Sequence, residues 1–326
     1  RESRTGCPAF LSKFIVIGMS CMVKVKNRPK KKMNWGLGLL ALPGVLFLLA
    51  FSYAPLFGLI IPFKNIDYAK GIFNSDWAGF DNFKFFFSSQ DAWRITRNTV
   101  LLNFMFIAVT LFLAVVFSLA LFELGRRQVK LYQTCTFVPY FVSWVVASYI
   151  LYAFLSPDMG VIPNMLESMG MDIPNFYNSP EYWPGILLFS YVWKNIGYMM
   201  LLFYATLMGI DTTQFEAAAI DGANKFQIVM KISIPFLVPT IILMALLQIG
   251  KIFYADFGMF YFLTKDSGTL YATTDVIDTY VYRALRVTGD IGMASAVGLY
   301  QSIVGFVLVL GSNLVVRKIN RDSALF

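Results

Sequence analysis

The chain has 326 residues, of which 57% are hydrophobic and only 14% charged, with a mean hydropathy of +0.62. A soluble domain of this length carries about a quarter charged residues, so most of this chain belongs in hydrocarbon rather than water. Histidine is absent, which excludes a His general base, a His-containing triad and a His metal site; the three cysteines, Cys7, Cys21 and Cys135, have neither metal-ligand spacing nor a disulfide framework.

The first 34 residues form a basic segment expected on the cytoplasmic side, with Lys24, Lys26, Arg28, Lys30, Lys31 and Lys32 crowded before the first long apolar run. The apolar stretch 10–23 is too short to span a bilayer and is interrupted by Lys13. The chain opens on Arg1, and Met22 or Met33 is the expected physiological start, which leaves 1–32 outside fold reasoning. The alternative for this stretch is an interfacial helix on the cytoplasmic leaflet.

A helix needs roughly 20 apolar residues to cross the hydrocarbon core. Six stretches qualify: 35–62, 99–122, 131–155, 184–210, 234–253 and 291–316. Backbone in lipid must satisfy its own hydrogen bonds, and period-two alternation is missing, so these are helices and not barrel strands. The expected fold is an all-α integral membrane protein with six transmembrane helices, a permease domain over 35–318 and a cytoplasmic tail over 319–326. Arg126, Arg127 and Lys130 lie between spans two and three, and Arg317, Lys318 and Arg321 follow span six. The connection between spans three and four instead carries Asp158, Glu167, Asp172 and Glu181 without Lys or Arg. Both termini are therefore expected in the cytoplasm. The basic residues behind the net charge of +8 thus face headgroups and cytoplasm, which argues against a nucleic-acid partner.

Ionisable residues within spans are functional candidates by default. Span four carries Tyr191, Trp193, Lys194, Asn195 and Tyr198, with Lys194 about 15 Å from the outer end at ~1.5 Å per residue. The outer end of span five holds Gln248, Lys251, Tyr254 and Asp256, and span six adds Tyr300, Gln301 and Ser302. Aromatic faces with a few amides and hydroxyls suit a pyranose, which has apolar CH faces and a hydroxyl rim. The competing expectation is structural: Lys251 pairs with Asp256 near the headgroups, Lys194 meets a partner's acid or stacks on Trp193, and polar groups hold helices together.

Between spans four and five the sequence runs Glu216-Ala217-Ala218-Ala-Ile-Asp221-Gly222-Ala223 and on through Gln227, Ile232 and Ile234 to Pro235. Glu216 to Asp221 forms helix readily, Gly222 takes positive φ at no steric cost, and 224–232 is a second helical stretch. Two short helices joined by a glycine turn make a knob, expected over 211–233, that is either an ordinary connector or a docking element.

This stretch resembles the loop of binding-protein-dependent ABC importer permeases: E-A-A, three residues, G, and a long spacing to I-x-L-P, with Ile234 in place of the usual Leu. Asn82-Phe83, Asn98-Thr99 and Asp278 to Arg283 resemble the sugar-transporting, maltose-permease-like branch, and within it the chain is most similar to complex-oligosaccharide permeases, from about Trp35 onward. The resemblance implies a type I importer permease in a bacterial plasma membrane. It implies four kinds of partner: a second homologous permease, two cytoplasmic ATP-binding subunits, an extracellular solute-binding protein and a sugar or oligosaccharide. It further implies ATPase coupling through Glu216, Ala217, Ala218, Asp221 and Gly222, and substrate contacts from the stretches 193–198 and 250–256. No phosphate-binding loop of the G-x-x-x-x-G-K-[ST] type occurs, so ATP hydrolysis is expected in a partner, and no cofactor is implied. The alternatives are an importer permease for a non-sugar solute, a secondary transporter and a membrane enzyme. A secondary transporter favours acidic or His relays and internal inverted repeats, and neither is evident; an enzyme needs a convergent nucleophile, base or metal cluster, and none is evident.

Overall fold

The computed structural model describes residues 35–171 and 174–319, and the expected N-terminal segment 1–34 and the tail from 320 lie outside the described residues. The chain divides into two units, Arg1–Phe57 and Gly58–Phe326. In the first, α1 (Trp35–Leu48) is followed by a π turn, Leu49–Tyr53, and the start of a 3-10 stretch, Ala54–Phe63. Among the described residues, five helices are long and apolar enough to cross a membrane, or six when a bent pair is counted as one span.

In the second unit a two-residue antiparallel pair, β1 (Lys64–Asn65) with β2 (Asp76–Trp77), precedes α2 (Asp81–Ser88) and α3 (Gln90–Phe122). α3 begins nine residues before the expected span, because its first turns hold Asp91, Arg94 and Arg97 and so escape a hydropathy reading. Ser89 caps it, accepting from the Ala92 amide at 3.2 Å. The motif residues of this region act as anchors. Asn82 Nδ2 donates to the carbonyls of Pro62 (2.9 Å) and Lys64 (3.0 Å), Asn98 Nδ2 to those of Ala272 and Asp275 (3.2 Å each), and Thr99 Oγ1 accepts from the Ile277 amide at 3.0 Å.

The third expected span, 131–155, is not one helix. α4 (Arg126–Phe137) ends in a 3-10 turn, Val138–Phe141, and α5 (Trp144–Leu155) leaves at 101°. Pro139 lacks the N–H that would continue the ladder, and Ser143 Oγ restarts it by accepting from the Val146 amide. α6 (Val161–Ser168) follows, and then α7 (Trp183–Leu207), the central span, which packs most extensively on α3. Gly197 on α7 is a point of backbone contact: a Cβ there would lie 2.1 Å from the Thr136 carbonyl oxygen.

α8 (Thr212–Ile220) and α9 (Lys225–Ile228) form the expected helix–turn–helix. The second is not a free short helix, however. It continues through a π turn, Val229–Ser233, into α10 (Ile234–Ile249), one span from Lys225 to Ile249. The π turn makes room for Pro235: the Ile234 amide bonds five residues back, to the Val229 carbonyl. Helix stops at Ile249 and not at the expected 253; 250–256 is irregular, and α11 (Phe257–Leu263) restarts from an Asp256 cap. α12 (Ile277–Arg283) and α13 (Ile291–Ile319) complete the unit. Three buried clusters hold it together: Trp183, Leu187, Met259 and Phe260; Phe86, Ile95, Ile277 and Val297; and Ala114, Phe203, Leu207 and Leu237. In lipid these clusters contribute through van der Waals packing between the helices rather than through transfer from water.

Candidate functional site

The two breaks, at 142–143 and at 250–256, come together beside α7. Trp144 Nε1, the first residue of α5, donates to Asp256 Oδ2 at 2.6 Å, while Asp256 Oδ1 caps α11 by accepting from the Met259 amide at 3.4 Å. A cavity of about 390 Å³ lies between the broken segments, α3 and α7. Its walls include Tyr191, Asn195 and Tyr198 from α7 and Lys251, Tyr254 and Asp256 from the irregular loop. Seven of the twelve residues singled out in spans four to six, Gln248 among them, thus share one cavity. Asn103 and Tyr140 join them; these two were missed because α3 and the 3-10 turn present single polar residues within apolar runs.

The walls are aromatic and orderly. Tyr140 stacks on Tyr198 with centroids 5.2 Å apart and planes 14° apart, and Tyr191 stacks on Phe106 at 4.9 Å and 15°. Asn195 Nδ2 is occupied by the Tyr191 carbonyl at 3.0 Å, which leaves its oxygen as an acceptor. Tyr254 shares a hydrogen bond of 3.0 Å with Ser302 of α13.

Two expectations about charge change. Lys194 has no carboxylate partner among the described residues: its ammonium donates to the carbonyls of Tyr140, at 2.9 Å, and of Val142, the groups that the break in span three leaves without helical partners. The ring beside it is not Trp193 but Trp144, at 5.3 Å, with Tyr140 at 5.8 Å. Lys251 and Asp256 form no ion pair; Asp256 is engaged by Trp144, and Lys251 has no partner among the described residues. Trp193 lies elsewhere, lining a separate cavity of about 700 Å³ with Ala147, Leu151, Phe154, Ile186 and Phe189. The side chains of that cavity are almost all apolar and offer little to orient a polyhydroxylated solute.

The irregular loop is held by its backbone. Asn103 Nδ2 donates to the Ile252 carbonyl at 2.9 Å, Gln301 Nε2 to the Phe253 carbonyl, and Asp278 Oδ2 accepts from the Ala255 amide at 2.7 Å and from Gln301 Nε2 at 3.2 Å. Burial raises the Asp278 carboxyl above its ordinary value, opposed by these two donors, which favour the charged form.

The second candidate is the 211–233 loop. Asp211 caps α8, accepting from the Thr213 amide at 3.0 Å. At its other end, the Ala223 amide reaches the Ala218 carbonyl (2.9 Å) and the Gly222 amide the Ala219 carbonyl (3.1 Å), a Schellman closure with Gly222 at φ +74°. Asn224 and Gln227 form a reciprocal capping box opening α9. Glu216, Ala217 and Asp221 are exposed and Ala218 half-buried; Ile220 and Phe226 are 86% and 72% exposed, so the tip presents apolar groups that the other described residues do not cover. Ala218, Asp221 and Gly222 border a hollow of about 450 Å³.

Residues 113–321 match the family described as binding-protein-dependent transport system inner membrane component. The chain is 33% identical to protein LplB of Bacillus subtilis (strain 168), over 90% of its own length and 91% of that protein. It is 27% identical to the polygalacturonan/rhamnogalacturonan transport system permease protein YteP of the same organism, over 87% and 88%. Its structure superimposes with a TM-score of 0.81, at 31% identity and over 88% of this chain and 96% of the other, on a chain of a bacterial ABC transporter involved in the import of the acidic polysaccharide alginate.

Proposed function

This chain belongs to the family of binding-protein-dependent transport system inner membrane components, and from that premise we propose that it is the permease subunit of an ATP-driven importer for oligosaccharides that carry acidic groups. The observation that carries the reading is the 390 Å³ cavity at the meeting of two broken spans, with stacked tyrosines, amide groups and one unpartnered ammonium, Lys251. Tyrosine faces suit the apolar CH surfaces of pyranose rings, and amides and hydroxyls suit the hydroxyl rim. An ammonium without a carboxylate partner among the described residues, beside such a cavity, favours a solute that brings one. YteP and the alginate importer have acidic polysaccharides in their names, which supports the same class.

In this reading both termini are cytoplasmic, as the flanks Arg126, Arg127, Arg317 and Lys318 favour. The permease domain is 35–318, in a bacterial plasma membrane. A second homologous permease completes the translocation path, and an extracellular solute-binding protein delivers the sugar. Two ATP-binding subunits hydrolyse ATP and grip the 211–233 loop, whose exposed Glu216 and apolar tip suit a protein groove.

The test is uptake by the complete importer of tetragalacturonate against maltotetraose, in wild type and in Lys251→Met. A hydrogen bond to a charged group contributes roughly 1.5–3 kcal/mol, or about 10- to 100-fold. ATP-dependent uptake that favours tetragalacturonate and loses that preference in Lys251→Met is expected. Equal handling of the two sugars by wild type, or an unchanged preference in Lys251→Met, would overturn the acidic assignment.

A further inference from the structure

The loop 250–256 is irregular backbone inside a membrane protein, where unpaired N–H and C=O groups have no bulk water to turn to. Three side chains from three different elements meet it. Asn103 of α3 is 8% exposed and Gln301 of α13 is 4% exposed, and each amide nitrogen is spent on a loop carbonyl, Ile252 and Phe253. Asp278 of α12 takes the Ala255 amide at 2.7 Å and ties Gln301 to itself at 3.2 Å. The three grip consecutive parts of a stretch whose side chains Lys251, Tyr254 and Asp256 all line the cavity. Asp278 and Gln301 do not line it, and Asn103 lines it while its amide nitrogen is turned to the loop.

We propose that Asn103, Asp278 and Gln301 are positioning residues: by fixing the backbone of 250–256 they set where Lys251, Tyr254 and Asp256 stand in the cavity, and so they govern solute affinity through those side chains. The substrate half of this rests on the cavity being the sugar path; the geometric half does not. Because the clamp draws on α3, α12 and α13, any relative motion of these elements moves the loop and changes the cavity wall. Each grip is one hydrogen bond to the loop backbone, buried at Gln301 and part-buried at Asn103 and Asp278, and removing one side leaves a backbone group unsatisfied, which favours a displaced loop by about a factor of ten.

The loop's position is read without any sugar. In the complete importer, with Cys7, Cys21 and Cys135 replaced by Ser, Lys251→Cys supplies the single thiol of this chain, and a small cationic methanethiosulfonate reports the labelling rate of this subunit. Asn103→Leu, Gln301→Leu and Asp278→Leu are each expected to raise that rate about fivefold or more. Asp278→Asn, whose amide oxygen still accepts from the Ala255 amide, is expected to stay within about twofold of the parent. Where a Leu variant does not assemble, Asn103→Ser and Gln301→Met carry the same expectation. Labelling unchanged in every assembled variant would overturn the clamp. In parallel, with Lys251 intact, the variants are expected to raise KM for tetragalacturonate about fivefold with kcat little changed, whereas a purely structural loss lowers the amount of assembled complex and leaves KM alone. Labelling that responds while tetragalacturonate is not transported upholds the clamp and rejects the sugar reading instead.

Discussion

The Lys194 ammonium lies 2.9 Å from the carbonyl oxygen of Tyr140 and also reaches that of Val142, so a cation on α7 closes the C-terminal end of the first half of the broken span three. A helix end carries partial negative charge on its unpaired carbonyls, and a cation there is favourable on electrostatic as well as hydrogen-bonding grounds. Tyr140, whose carbonyl is held, also forms the cavity wall against Tyr198. Lys194 therefore shapes the site without supplying a free charge to it.

Lys194→Met is expected to leave two carbonyls unsatisfied and to cost on the order of 1–3 kcal/mol for each one that finds no water. The thermal midpoint of the purified importer should fall by several degrees, while the ratio of acidic to neutral sugar uptake stays put. Lys194→Arg, which keeps donors and charge, should recover much of the midpoint. A changed sugar ratio with an unchanged midpoint would instead make Lys194 a solute contact.

Gly197 meets the backbone of the same broken span. Its Cβ position lies 2.1 Å from the Thr136 carbonyl oxygen and 2.8 Å from Phe137 Cα, atoms that cannot rotate away. Gly197→Ala should force α4 and α7 apart and cost about 1–3 kcal/mol or more, as overpacking does. Gly185 on the same helix has nothing within 4 Å of its Cβ position, so Gly185→Ala is the control and should leave thermal stability unchanged. Equal stability of both variants would rule out the close contact.

The spans were legible because hydropathy reports what a bilayer selects, and the knob because the helix-forming stretch from Glu216 to Asp221 and the turn residue Gly222 are local signals. The breaks were not. Pro139 and Ser143 sit in an apolar run that reads as continuous, and 250–253 reads as the last turn of span five while the backbone of 250–256 depends on Asn103, Asp278 and Gln301, far away in sequence. The same distance hid the true partners of Lys194 and Asp256: backbone carbonyls 52 and 54 residues back for one, and Trp144, 112 residues away, for the other.

Asp211 gives the 211–233 loop a defined pH response. The Thr213 backbone amide and then its hydroxyl hold the Asp211 carboxyl below its ordinary value of 3.8. A depressed folded pKa means the cap's contribution is fully present above the unfolded value and is lost as pH falls through the folded one. Exchange protection of the α8 amides, corrected for the intrinsic pH dependence of exchange, should therefore be flat from about pH 7 to pH 5. Asp211→Ala should lower that protection throughout this range, since the N-cap acceptor is gone. Wild-type protection that already declines between those limits would assign the titration to another group.

Gly222 separates backbone shape from side-chain contact at the knob. Its φ is +74°, and no atom lies within 4 Å of where a Cβ would stand. Substitution there meets no steric obstacle among the described residues; what it changes is the cost of the left-handed conformation, roughly 1–2 kcal/mol for most residues and less for Asn. That conformation lets the Gly222 and Ala223 amides close back on Ala219 and Ala218, and it sets the angle between α8 and the helix running from Lys225 into span five. If the knob transmits movement from an ATPase, its angle matters, and Gly222→Asn should retain much of the sugar-stimulated ATPase activity while Gly222→Val loses most of it. Glu216→Gln should weaken coupling without altering the turn, because Glu216 is exposed and makes no hydrogen bond or ion pair among the described residues, so its carboxylate is available only to a partner. The ratio of sugar imported to ATP hydrolysed, measured for all three variants in proteoliposomes, distinguishes the roles. Should Gly222→Asn and Gly222→Val fail alike while the α8 amides keep their exchange protection, the loss would come from a side chain colliding with the ATPase groove and not from the turn.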